Sequence, residues 1–148
     1  MRKIVFLFFM GLILNSCKTS YPRYSMDAVS ETEKQRVYNF GERILKSCIT
    51  REFVQLSEKE VTKGLAKLSL DQMQKTCDYF DNVHGKYIDM ELIEIIDNSY
   101  TDNNLLYRYK ANYEKNVPVK EIRIWVQKNG KFSGIVYQDW KDEYIHSK

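Results

Sequence analysis

Leu105-Leu106-Tyr107-Arg108-Tyr109-Lys110-Ala111-Asn112-Tyr113-Glu114 decides the fold class. Leu105, Tyr107, Tyr109, Ala111 and Tyr113 alternate with Leu106, Arg108, Lys110, Asn112 and Glu114. A period of two places one set on each side of a strand, so the run reads as a half-buried strand that needs neighbours and a cover. Downstream, Glu114 to Pro118 is a connection, Val119 to Gln127 a further strand and Phe132 to Gln138 another. Lys128-Asn129-Gly130-Lys131 separates these two. Asn-Gly suits a two-residue type I′ turn, because both central positions take positive φ. That turn sets a register: Ile124 opposite Ile135, Ile122 opposite Tyr137, and Trp125 opposite Gly134, where the ring can cover the missing side chain. Upstream, Tyr87 to Ile96 is apolar on both parities and reads as a strand covered on both faces. Asp97 to Asn104 is a turn cluster.

Before the strands the period changes. Ser30 with Glu33 forms a capping-box pattern opening a helix to about Ser47, with Val37, Phe40, Ile44 and Cys48 at helical spacing. Gly41 within it allows a close contact. Ser57 with Glu60 predicts a short helix to about Leu68. Ser69 with Gln72 predicts a third, carrying Leu70, Met73, Cys77, Phe80 and His84 on one stripe, with Gly85 where a C′ glycine belongs. The expectation is an α+β domain: about three N-terminal helices packed on one face of a four-stranded antiparallel meander.

The N-terminus has a different character. Arg2 and Lys3 precede an apolar run, Ile4 to Leu14, too short to span a bilayer, which takes ~20 residues. A charged start, a short apolar segment and a small residue before a cut are the layout of a secretory signal. Leu14-Asn15-Ser16-Cys17 resembles the bacterial lipobox. The resemblance implies cleavage before Cys17 and acylation of that cysteine, so the lipid membrane is the expected partner at this end. Acyl chains at ~0.8 kcal/mol per buried CH₂ would hold the protein there. An ordinary secretory signal with a chance cysteine is the other reading. Asn15 departs from the usual lipobox residues. Lys18-Thr19-Ser20 carries no Asp after Cys17, which by resemblance to lipoprotein sorting points to the periplasmic face of the outer membrane of a Gram-negative bacterium. The expected organisation is a signal peptide over 1–16, lipidated Cys17 and a tether to Val29, and one domain over 30–148.

Loss of Arg2 and Lys3 lowers the formal charge from +3 to +1. A nearly neutral domain argues against nucleic acid as partner. Cys48 and Cys77 remain. In an oxidising compartment they form a disulfide, or they stand as two small buried thiols on separate helices; the sequence leaves both open.

The segment Phe53 to Trp140 resembles an uncharacterised family of Bacteroidota lipoproteins. The features are Phe53-Val54-Gln55-Leu56-Ser57, Tyr87, Tyr107-Arg108-Tyr109 and Lys128-Asn129-Gly130-Lys131-Phe132-Ser133-Gly134. The element order resembles nuclear-transport-factor-2-like and cystatin-like domains. The resemblance implies a fold and no activity.

The sequence contains no Gly-rich phosphate loop, no His-Glu-x-x-His, no Cys-x-x-Cys and no Gly-x-Ser-x-Gly. No catalytic residues, cofactor or metal are expected. His84 reads as a capping or packing residue at a helix end, where a cationic ring suits the dipole, and His146 as solvated. Glu94 shares parity with Ile88, Met90, Leu92 and Ile96. A carboxylate on an apolar face can act as a base with a raised pKa, whereas pairing with Arg108 or Arg123 would make it structural. Tyr107, Tyr109 and Tyr113 form a core stripe or, with Glu94, the wall of a pocket for a small amphipathic ligand. Trp125, Phe132 and Val136 read as one apolar patch on the other sheet face, a candidate interface with a protein partner. The function expected first is a membrane-anchored, non-catalytic binding or interaction domain of the cell envelope. A small-molecule enzyme working through Glu94 and a tyrosine, and a structural or inhibitor-like protein working through the Trp125 face, are the alternatives.

Overall fold

The computed structural model describes residues 21–98, 103–115 and 118–144. The expected signal, Cys17 and His146 lie outside them. The fold is α+β, with a five-stranded antiparallel sheet in the order β1-β2-β3-β4-β5. The strands are β1 (Arg23–Tyr24), β2 (Tyr87–Asp97), β3 (Asn104–Tyr113), β4 (Lys120–Gln127) and β5 (Phe132–Asp139). Three helices, α1 (Glu31–Thr50), α2 (Lys63–Ala66) and α3 (Leu70–His84), accompany it. The fifth strand comes from the segment read as tether. Arg23 pairs with Ile96 and Tyr24 with Ile95, while Val29 is buried, so the chain enters the fold well before Ser30.

The helix signals have unequal outcomes. Ser30 caps α1 by accepting from the Glu33 N–H, but Glu33 turns its carboxylate to Arg36 instead of closing the box. The helix runs past Ser47 to Thr50 and stops where Arg51 takes φ 61°. Ser69 and Gln72 make both bonds of a capping box. Ser57 opens only a turn. Phe132 N–H donates to the Glu60 carbonyl and Thr62 N–H to the Phe132 carbonyl, so Val61 forms a bridge to β5. The helix waits for Thr62, which caps α2. Pairing with a strand edge here outweighs a local propensity of a few tenths of a kcal/mol per residue.

The β4–β5 register is the expected one, by a different route. The connection has three residues, Lys128 to Gly130, with Gly130 at φ 81° and Gln127 N–H bonded to the Lys131 carbonyl. A bulge at Ser133 then restores the pairing of Trp125 with Gly134 and Ile124 with Ile135. The extra turn residue and the bulge cancel.

The helices cover one sheet face. Val37, Phe40 and Leu45 of α1 meet Met90, Ile95, Tyr107, Tyr109, Ile122 and Ile124. Gly41 marks the closest approach of α1: a Cβ there would lie 2.7 Å from Ile124 Cδ1. Phe40 stacks on Phe132 at 3.7 Å between centroids. Cys48 and Cys77 are joined by a disulfide, which fastens α1 to α3. Among the described residues no helix is long and apolar enough to cross a membrane.

Candidate functional site

β2 is irregular where it matters most. Leu92 pairs with Tyr109 and Glu94 with Arg108, so one extra residue is inserted and the strand changes phase. Before the bulge Met90 and Leu92 oppose Ala111 and Tyr109; after it Ile95 opposes Tyr107. Simple parity put Glu94 with the apolar set. The bulge puts it across the sheet from Tyr107, Tyr109 and Tyr113, so the expected pocket of one carboxylate and three tyrosines is not formed.

Glu94 instead belongs to a charged cluster on the face away from the helices. Arg108 pairs with Glu94 on one side and Arg123 on the other, and both arginines are fully buried. Arg108 donates to Glu121 through Nε at 2.7 Å and Nη2 at 2.9 Å, to Glu94 through Nη1, and to the Lys141 carbonyl at 2.7 Å. Arg123 Nε donates to the same Glu121 oxygen. Arg23 closes on Glu94 at 2.9 Å. Trp140 lies 4.5 Å from the Arg108 guanidinium and Tyr144 4.7 Å from that of Arg123, positions suited to cation–π attraction. Tyr21 meets Tyr144 edge-on. Burial pushes the Glu121 carboxyl up, but hydrogen bonds from both arginines and their charges outweigh it and hold it below the usual carboxylate range. Such an acid stays ionised and is no proton donor at neutral pH. The cluster holds the segment 140–144 against the sheet.

The expected interaction patch is divided. Phe132 is core, because the Ser133 bulge turns it toward α1, with Arg36 4.5 Å from its ring. Trp125 is half-buried and packs on Gly134, where a Cβ would meet its ring at 3.2 Å. Val136 alone of the three is exposed.

The tyrosines line the helix-side interior. Tyr113 sits among His84, Tyr87 and Tyr137 at centroid distances of 5.9 to 6.0 Å. His84 is buried, and burial followed by the charge of Lys120 lowers its pKa. It is therefore a neutral packing residue and not a cation at the helix end. Tyr109 lines a small cavity of about 300 Å³ with Tyr38, Leu92 and Lys34.

The larger cavity, about 630 Å³, lies where α1 starts and the β3 and β4 ends meet. Tyr107, Leu105 and Asn104 of β3 line it, with Val126 and Gln127 of β4, Lys128 of the turn, Tyr24 of β1, and Ser30 and Glu33 of α1. Asn104 Oδ1 and the Tyr107 hydroxyl are buried and have no hydrogen-bond partner among the described residues. Burial, with Glu33 nearby, pushes the Tyr107 hydroxyl up to about 12, so it remains a donor. Of the expected pocket residues, Tyr107 alone reaches this cavity. Asn104 read as the end of a turn cluster and Tyr24 as tether, so neither carried a signal. Among the described residues no group of three His, Cys, Asp or Glu side chains could hold a metal ion.

No family model, curated protein or solved structure matches the chain.

Proposed function

We propose that the protein is an envelope lipoprotein whose domain binds a small molecule without transforming it, in the cavity between the α1 N-terminus and the β3–β4 end. The observation that carries the binding reading is the cavity itself. Its volume falls within the ~300–1,000 Å³ range of small-molecule sites. Two of its lining residues, Asn104 and Tyr107, carry buried polar atoms with no partner among the described residues, and an unmade hydrogen bond there costs ~1–3 kcal/mol. The anchor reading rests on Leu14-Asn15-Ser16-Cys17 and on the closeness of the fold to it. Six residue steps separate Cys17 from β1, a reach of at most ~20 Å. A domain so tethered would ride at the membrane surface, and Lys18-Thr19-Ser20 favours the periplasmic face of the outer membrane.

The enzyme reading loses its support, since Glu94 lines neither cavity and is held by Arg108 and Arg23. The Trp125 reading loses Phe132.

Two experiments test the proposal. Metabolic labelling with a palmitate analogue should mark the wild type and not Cys17→Ala; equal labelling of both would overturn the anchor. A small-molecule screen read by tyrosine resonances should move Tyr107 and Tyr24 together. Hits that move only Tyr113 or Tyr137 would overturn the choice of cavity.

A further inference from the structure

The electrostatics of the cavity narrow what it can hold. A helix N-terminus attracts anions, but Ser30 already caps α1, and Glu31 and Glu33 occupy its first turn. Arg36 holds the Glu33 carboxylate through two bonds of 2.7 Å. Lys128 adds one cation to the lining. The charges are nearly balanced, so desolvating a charged ligand here would not be repaid.

The two unpartnered polar atoms of the lining residues want opposite things. The Tyr107 hydroxyl has a proton to give and Asn104 Oδ1 a lone pair to fill. A phosphate or carboxylate offers acceptors and no donor. A hydrocarbon offers neither. A hydroxyl group offers both. The lining also includes the apolar Val29, Leu105 and Val126 and the aromatic Tyr24. A pyranose has the matching surface, with hydroxyls at its edges and C–H groups on a face that packs on an aromatic ring.

We propose that the cavity binds an uncharged polyhydroxylated ligand of the saccharide class, a deepening that rests on the binding-domain reading above. The same chemistry is offered by a free sugar and by the headgroup of a glycolipid. Tyr24 lies seven residues from Cys17, within ~25 Å of an anchor there, so a headgroup is within reach.

The test uses the full chain in phosphocholine micelles, with labelled tyrosine, and probes of known chemistry. Glucose, galactose, N-acetylglucosamine and lactose form the free-sugar arm. Mixed micelles with and without a digalactosyl lipid form the headgroup arm. Inorganic phosphate, decanoate and triglycine are the counter-probes. Saturable shifts of the Tyr107 and Tyr24 resonances with a sugar in either arm support the proposal, and the arm that responds identifies the source. Tyr107→Phe should weaken that binding about 5–10-fold, the worth of one hydrogen bond, with no fall in the unfolding midpoint. Gln127→Ala, at another lining residue, gives a second reading should Tyr107→Phe fail to fold. Shifts by phosphate or decanoate in place of sugars, or wild-type affinity in both variants, would overturn it. Triglycine alone moving these resonances would overturn the saccharide class and leave a binding domain standing. Silence from every probe would count against both.

Discussion

Arg108 and Glu121 are joined by two hydrogen bonds at 2.7 and 2.9 Å with both side chains fully buried. A buried pair of this kind adds little net stability over an apolar core, but breaking one half is costly. Glu121→Gln should therefore destabilise the domain by ~3–5 kcal/mol in urea unfolding. The wild type should also lose stability in acid. The folded carboxyl titrates below its unfolded value of ~4.3, so its contribution is complete above that pH and fades as pH falls through the folded value. In Glu121→Gln this part of the acid limb should flatten. An unchanged limb would remove Glu121 as its source.

His84 acts in a separate window. Its folded pKa is lowered by burial and by Lys120, so protonation favours the unfolded chain. Its contribution is present above the unfolded value of ~6.5 and declines as pH drops below it. Stability measured between neutral and mildly acid pH should fall in the wild type and level out in His84→Phe. A wild type that strengthens below neutrality would contradict a neutral imidazole.

The Cys48–Cys77 bridge spans 29 residues of sequence. On the chain-entropy account its loss costs ~3–4 kcal/mol, chiefly by releasing the unfolded chain. The double variant Cys48→Ala with Cys77→Ala should lower the urea midpoint accordingly, and reductant should lower the wild type but not the variant.

Tyr109 and Tyr113 present buried hydroxyls with no partner among the described residues. Removing such a group recovers a desolvation penalty of ~1–3 kcal/mol. Tyr109→Phe and Tyr113→Phe should be neutral or stabilising in calorimetry, whereas Leu or Ala at either site would open a void and cost several kcal/mol. A drop of more than ~1 kcal/mol on Tyr→Phe would reveal a hydrogen bond worth keeping.

The alternation of Tyr107, Tyr109, Ala111 and Tyr113 fixed a strand and its faces, because a period of two is a local property. The Ser69 box was legible for the same reason. The β4–β5 pairing was reached although the turn has three residues, since the Ser133 bulge compensates. Three things were not legible. Arg23 and Tyr24 gave no strand signal, because two residues are too few to show a period. The phase of Glu94 depended on a bulge, and a bulge is chosen by the partner strand and the core. Of the cavity, Tyr107 was visible as a stripe member, while Asn104, Gln127 and Tyr24 converge only through tertiary contacts.

The bulge between Leu92 and Glu94 works as a change of reading phase within one strand. Ahead of it Met90 and Leu92 look toward the helices; behind it Ile95 does. A single strand thereby furnishes an apolar lining to one interior and an anion to the other. It also leaves the strand one residue that it can lose without changing its pairing. Removing Ile93 would place Glu94 directly after Leu92, still opposite Arg108, with Ile95 still opposite Tyr107, so a one-residue deletion there would regularise the strand and keep the chemistry of both faces. The bulge is thus a reserve of one residue, and an Ile93 deletion should keep Glu94 on Arg108 while straightening the strand.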